Sequence, residues 1–316
     1  MPLTDDDIRN AYRFILGREP EDERVVKLHS SRYANLKDLR LGFLSSTEFR
    51  DQGFIAPPKA FPAFQPPEEI DVETDKDTLR AIVTKAAQYW SGIGKSAPYY
   101  SVITEDGYKP SQFDQNEAAF WEGANDHDLI VALLRRIGRS ASEFQCCVEY
   151  GCGVGRNTVP LAATFAEVIA LDISQSHLEI AQHHVESSGA RNVRFLEVSP
   201  EDLMPAVDYD LWFSRLVLQH NAPPVTLEIL DKAFARLPQN GVAIIHLPTY
   251  CEGYNFNISD YLTGSRLGQE IEMHVTPQKA ILELAFRHNC WLREIHEEPG
   301  YRAYIVNIFV FHKQFD

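Results

Sequence analysis

The chain has 316 residues and a net charge of −15, with 30 lysines and arginines against 45 aspartates and glutamates. This length allows one large domain plus a smaller unit, and the acidic balance argues against nucleic acid, whose phosphates call for a basic surface. No apolar run reaches the length of a membrane span, and the acidic start (Thr4-Asp5-Asp6-Asp7) is unlike a secretion signal. The five cysteines, Cys146, Cys147, Cys152, Cys251 and Cys290, are odd in number and contain no C-x-x-C pair. A reduced, cytoplasmic chain with partly buried thiols is expected.

In chain order, apolar spacing predicts three short amphipathic helices, Asp5 to Gly17, Glu21 to Ser31 and Leu36 to Phe49. Tyr12-Arg13-Phe14-Ile15-Leu16-Gly17-Arg18-Glu19-Pro20 pairs with Gly42-Phe43-Leu44-Ser45-Ser46-Thr47-Glu48-Phe49. These two runs resemble a small helical module that recurs in bacterial proteins, often beside surface-polysaccharide enzymes. The resemblance covers about residues 1–53 of a unit expected over 1–55. It leaves open a packing or dimerisation appendage and docking of a glycan or another partner. Five prolines between Ala56 and Pro67 predict a stiff linker within 56–75. A helical segment is expected over 76–135, with Tyr89-Trp90, Pro98-Tyr99-Tyr100-Ser101-Val102 and Ala119-Phe120-Trp121-Glu122-Gly123 as its marked features.

From residue 136 the pattern changes to near-continuous apolar runs alternating with amphipathic helices. That pattern predicts parallel strands covered on both faces. Val148-Glu149-Tyr150 ends a strand, and Gly151-Cys152-Gly153-Val154-Gly155 is a turn with glycine at every second position leading into a helix. Such glycines admit positive φ and let a ligand approach the main chain, and the helix start behind them offers free N–H groups. A second strand, Val168-Ile169-Ala170-Leu171, ends at Asp172, 17 residues past Gly155. An acid at that distance can accept from both ribose hydroxyls. Further strands are expected at Val193 to Val198, Tyr209 to Ser214, Val242 to Leu247, Trp291 to His296 and Tyr301 to His312. Helices are expected at Ser176 to Ser187, Val225 to Arg236 and from Pro277 through Phe286.

The turn is G-x-G-x-G, not the G-x-G-x-x-G of dinucleotide sites, and Glu149 before it would repel a pyrophosphate but accept from an ammonium. With these elements in this order the chain resembles the class I S-adenosylmethionine-dependent methyltransferases, over roughly residues 136–316. The resemblance implies a Rossmann-like, seven-stranded, mostly parallel sheet with helices on both faces, preceded by a small all-α domain, and a last strand inserted antiparallel beside the fifth. It implies S-adenosylmethionine as cofactor, with Glu149, Gly151, Gly153 and Gly155 at its methionyl part, joined by the backbone near Ser214. Asp172 would hold the ribose and Ile173 the adenine face. Where the family usually has an acid after the third strand, this chain has Ser199, so Glu201 or a backbone group is the candidate replacement. The segment 76–135 is similar to the cap of methyltransferases encoded in polysaccharide gene clusters. Tyr100 and Trp121 are therefore candidates for touching cofactor or substrate, beside their alternative as core residues.

A hydroxyl acceptor benefits from a base. His220, just after the fourth strand, lies at the C-terminal sheet edge where ligands collect in open α/β sheets, and His246 and His274 are further candidates. Each has a purely structural alternative, and His183-His184 is expected on a solvent-facing helix turn. No metal is expected. An O-methyltransferase of a sugar or glycan intermediate is the leading reading, followed by O- or N-methylation of another small metabolite or lipid-linked acceptor. A nicotinamide oxidoreductase is disfavoured by the glycine spacing and Glu149, and a scaffold without turnover by the base candidates.

Overall fold

The computed structural model describes residues 3–51, 69–264, 271–298 and 303–314. The whole proline-rich stretch Ala56 to Pro67, the expected linker up to residue 68, and Tyr301 of the expected last strand lie outside them. Its contacts divide the chain into two compact units, Met1–Gln65 and Pro66–Asp316.

The first unit contains α1 (Asp5–Leu16), α2 (Glu23–Arg32), α3 (Leu36–Leu44) and α4 (Thr47–Asp51). Thr4, Asp22 and Asn35 cap the first three helices by accepting from backbone N–H groups of the first turn. The third helix expected from sequence is two. Ser45 Oγ donates to the Leu41 carbonyl (2.6 Å), and Ser46 Oγ accepts from Phe49 N (3.1 Å), so one serine closes α3 and the next opens α4. Ile8, Tyr12, Leu16, Val26, Leu39 and Phe43 form the core of this unit. Arg18 joins the two marked sequence runs: it pairs with both oxygens of Glu48 (2.5 and 2.9 Å) and lies 4.8 Å from the centroid of the Tyr12 ring.

The second unit begins with α5 (Lys76–Ser96), α6 (Pro98–Val102), α7 (Phe113–Glu122) and α8 (Asp126–Arg136). Then follow β1 (Cys146–Tyr150), α9 (Thr158–Ala162), β2 (Glu167–Asp172), α10 (Gln175–Ser188), β3 (Val193–Glu197) and β4 (Leu211–Ser214). The chain continues through α11 (Pro223–Arg236), β5 (Val242–Cys251), α12 (Ile258–Thr263), α13 (Gln278–Arg287), β6 (Cys290–Glu298) and β7 (Tyr304–Lys313). The seven strands form one sheet in the order β3-β2-β1-β4-β5-β7-β6. β1 to β5 run parallel, and β7 enters antiparallel between β5 and β6. The seven-stranded, mostly parallel sheet is as expected, including the antiparallel seventh strand beside the fifth.

Both faces are covered, which explains the continuous apolar runs. On one face Val148, Ile169, Trp212, Ile245 and Phe309 pack with Ile82 and Val83 of α5, Ile229 and Phe234 of α11, and Ile281 and Leu284 of α13. On the other, Cys147, Val168, Phe213, Ile244 and Val310 meet Ile130, Leu133 and Leu134 of α8 and Leu161 of α9. The strand order reverses between β1 and β4, because β1 leads outward to β2 while β4 lies on its other side. A crevice forms at such a reversal, beyond the carboxyl ends of the strands.

One buried lysine fastens the last strand. Lys313 Nζ donates to the carbonyls of Phe234 (2.7 Å) and Ala235 (3.3 Å) at the end of α11, whose last carbonyls have no partner within the helix. Lys313→Ala is expected to lower unfolding stability by about 1–3 kcal/mol, the range for hydrogen bonds to a charged group. Urea unfolding followed by circular dichroism checks this, with the ligand site unaffected.

Candidate functional site

A cavity opens at this crevice. Its floor is the turn after β1. Gly151, Gly153 and Gly155 have φ of 80°, 54° and 80°, a region costly for any residue with a Cβ. Space demands glycine as well. A Cβ on Gly151 would come within 2.3 Å of Val217, one on Gly153 within 2.8 Å of Val102, and one on Gly155 within 2.9 Å of Ala181. Gly151 and Gly153 line the cavity. Gly155 does not, and its bare backbone lets α10 pack against the turn.

Two carboxylates frame this floor. Asp172, at the end of β2, accepts from Gly153 N and Ser174 N, both at 2.8 Å. The neighbouring loops thereby hold its carboxylate in the cavity wall. Glu149 is buried at the end of β1, where Thr158 Oγ1 donates to it at 2.6 Å. Burial raises its pKa from 4.5 to about 8, against the lowering by Thr158 and together with the like charges of Asp126 and Asp172. A carboxylate this desolvated gains most from a cationic partner.

Ile173 and His220 also line the cavity, bringing together six of the residues singled out in the sequence: Glu149, Gly151, Gly153, Asp172, Ile173 and His220. His220 lies at the end of the helical turn after β4. Its Nδ1–H donates to the Glu272 carbonyl at 2.7 Å, so Nε2 carries the lone pair, to which the Gln219 side-chain amide donates at 3.3 Å. Burial lowers its pKa to about 4, so the ring is neutral at physiological pH. Trp90 of α5 packs at 5.4 Å between ring centroids.

The other sequence candidates stand outside this wall. His274 is buried beneath it, between the Tyr254 hydroxyl and the Glu272 carboxylate (both 2.9 Å), and its backbone N–H donates to the Gln219 carbonyl at 2.7 Å. It braces the segment that holds His220. His246 is 1% exposed; its Nδ1 accepts from Leu216 N at 3.3 Å and its Nε2 lies 2.8 Å from Glu298. Leu216 has φ 61°, unfavourable for leucine, so His246 supports a strained bend at the cavity edge. Ser214 Oγ donates to the Tyr150 carbonyl at 3.0 Å, turned into the sheet, while Phe213 and Arg215 on either side reach the cavity. Glu201 is exposed and pairs with Arg80 at 2.5 Å, and Ser199 closes a tight turn with Asp202. Val198 and Leu203 line that end of the cavity instead.

Among the cap aromatics, Trp121 stacks on His184 (3.7 Å, 14°) and meets Phe120 edge-on, and Tyr100 lies near Lys109, 5.6 Å from ring centroid to Nζ. His184 is accordingly half-buried, a correction to its expected solvent-facing place, because α7 lays Trp121 over that side of α10. The cap reaches the cavity through Ala86, Trp90, Ser101, Val102 and Ile103. Gly94 allows this approach, since a Cβ there would come within 2.5 Å of Ser176 Oγ.

Several lining residues were not singled out by the sequence. His177 of α10 bonds Ser101 Oγ at 2.8 Å and lies 3.9 Å from Asp172. Asp126 accepts from Arg215 (2.7 Å) and Asn157 (2.8 Å), and Arg215 also pairs with Glu298. Burial raises the Asp126 pKa, and Arg215 opposes that rise. Position in a motif could have flagged Arg156 and Asn157, which follow the glycine turn directly; no local pattern marks Asp126.

A family profile described as a methyltransferase domain matches residues 147–241. The chain is 41% identical over 69 residues to a tRNA/tmRNA (uracil-C(5))-methyltransferase of Campylobacter curvus, 22% of this chain and 19% of that protein. It is 32% identical over 132 residues to the protein of the same name from Saccharophagus degradans, 39% of this chain and 36% of that one. It thus spans about a fifth to a third of the length of these curated relatives. Among solved structures it resembles the magnesium protoporphyrin IX methyltransferase of Synechocystis PCC 6803 with bound SAH, at TM-score 0.53 and 18% identity, over 74% of this chain and all of that one. Residues 147–241 thus match a methyltransferase domain, and the seven-stranded sheet around them has the fold of the class I S-adenosylmethionine-dependent methyltransferases.

Proposed function

We propose that this chain is an S-adenosylmethionine-dependent methyltransferase acting on a hydroxyl acceptor. The observation that carries the reading is the convergence of Glu149, the Gly151–Gly153 floor and Asp172 on one cavity. The cofactor fits these residues. Glu149 is a buried carboxylate suited to an ammonium, Asp172 an acceptor suited to ribose hydroxyls, and a Cβ on the floor would press on Val217 and Val102, which line the same cavity. When bound, the cofactor supplies a methyl group already activated by the sulfonium.

The protein's own part is to orient, exclude water and move one proton. Glu149 and Asp172 fix the amino-acid end and the ribose of the cofactor, and Trp90, Val102 and Ile103 line the cavity from the cap. His220 Nε2, held as a neutral acceptor by the Glu272 carbonyl, takes the hydroxyl proton of the acceptor. His220→Ala is expected to lower kcat by about 10²–10⁴-fold, the usual contribution of a general base, with cofactor affinity nearly intact. Equal turnover by the variant would remove His220 from the mechanism.

For the acceptor we infer a sugar or glycan intermediate, supported by the resemblance of residues 1–53 and of the cap to parts of polysaccharide-cluster proteins. The charge of −15 disfavours an RNA substrate such as the names of the curated relatives indicate for those proteins. Calorimetry should detect binding of S-adenosylhomocysteine and none of NADH. Labelled S-adenosylmethionine with nucleotide-sugars, glycan fragments and tRNA then identifies the acceptor class, and transfer to tRNA alone would overturn the glycan reading.

A further inference from the structure

We propose that Arg156, with the gap left by Gly123, is an anion seat in the cavity wall that takes a carboxylate or phosphate group of a bound ligand. Arg156 directly follows the glycine turn and lines the cavity. Its Nε donates to the Phe120 carbonyl at 2.5 Å, and its guanidinium lies over the Phe120 ring, 5.3 Å from the centroid. Both contacts hold the planar fork in place while using one of its five N–H groups. Among the described residues no carboxylate pairs with it. The other arginine of the same cavity, Arg215, pairs with Asp126 and Glu298.

A half-buried guanidinium with no carboxylate in direct contact has lost part of its hydration, and Asp126 and Glu105 offset this only at a distance. Burial accordingly moves its pKa downward. A ligand can supply an acceptor to the remaining N–H groups in place of water, and the fork suits the two oxygens of a carboxylate or phosphate. Gly123, at the end of α7, makes the room: a Cβ there would lie 2.3 Å from Arg156 Nη2. The last residue of the marked Phe120-Trp121-Glu122-Gly123 run thus has a spatial reason. In one cavity, Glu149 suits a cation and Arg156 an anion. A zwitterionic amino-acid end of the cofactor matches both; an anionic acceptor matches Arg156 alone. The inference rests on the cofactor reading above for the first source and stands without it for the second.

The test uses calorimetry on the full chain with S-adenosylhomocysteine, 5′-methylthioadenosine (which lacks the amino-acid part) and inorganic phosphate. If the cofactor supplies the anion, Arg156→Met weakens S-adenosylhomocysteine binding by about tenfold or more, as for loss of a charge-assisted hydrogen-bond pair, and leaves 5′-methylthioadenosine binding unchanged. Arg156→Lys keeps part of the affinity. If the acceptor supplies it, S-adenosylhomocysteine affinity is unchanged, and phosphate titrated into that complex binds wild type but not Arg156→Met. Gly123→Ala retains every charge and moves the guanidinium, so it weakens the same ligand and carries the test should Arg156→Met fail to fold. Equal binding of both S-adenosylhomocysteine and phosphate by wild type and variants overturns the proposal. Should wild type bind no S-adenosylhomocysteine, the cofactor reading fails, while phosphate binding by the free chain still reads Arg156.

Discussion

Asp172→Ala is expected to weaken S-adenosylhomocysteine binding by about 100-fold or more, roughly 3 kcal/mol, because two charge-assisted hydrogen bonds to the ribose are lost together. The same carboxylate accepts from Gly153 N and Ser174 N, so its removal also strands two buried donors and loosens the floor. Stability should therefore fall as well, and Asp172→Asn, which keeps one acceptor oxygen, should be milder in both respects. Calorimetry together with thermal unfolding separates the two losses. A folded Asp172→Ala chain with wild-type affinity would show that this acid holds no part of the cofactor.

The second large effect concerns Glu149 and has a definite sign. Its pKa in the folded chain is about 8, raised by burial from an ordinary 4.5. The folded state thus binds the proton more tightly than the unfolded one. The associated stability is present below about pH 4.5 and is lost as pH rises through about 8. Glu149→Gln removes this dependence: without ligand the variant should melt well above wild type at pH 9, less far above it at pH 6, and near it only below about pH 4.5. Ligand binding should respond in the opposite sense. An ammonium requires the ionised carboxylate, so wild-type affinity should rise by up to about tenfold per pH unit as pH approaches 8, and binding at pH 7 should release a proton. The variant should bind weakly, with no such slope. Calorimetry in buffers of different ionisation enthalpy measures the proton directly, and a pH-independent wild-type affinity would rule out Glu149 as the ammonium partner.

Much of the sheet was legible because its signals are local. The apolar runs at Val148, Val168 and Ile244 needed no partner to be recognised as strands, and the glycine turn with Asp172 past it pointed by spacing alone to the residues that line the cavity. The place of His220 at the cavity wall was legible from its position after the fourth strand, although its tautomer depends on a carbonyl 52 residues away. Misreadings arose where a neighbour decided the outcome. His184 looked exposed because helical period assigns a face but not what covers it, and Trp121 covers it. Ser45 and Ser46 looked like helix interior because apolar period continued through them, while their hydroxyls competed for the backbone and split the helix.

By itself, then, the order of residues determined strand sequence, the glycine floor and the acid at the end of β2, since each follows from periodicity or backbone geometry over a few neighbouring positions. Tertiary structure alone decided which side chains share the cavity. Asp126 meets Arg215 across 89 residues and His177 meets Ser101 across 76, and no local pattern encodes either contact. The state of Glu149 was settled there too, because desolvation depends on what packs around a carboxylate, and its strand partners Ala170 and Phe213 and the charges of Asp126 and Asp172 come from other elements of the chain.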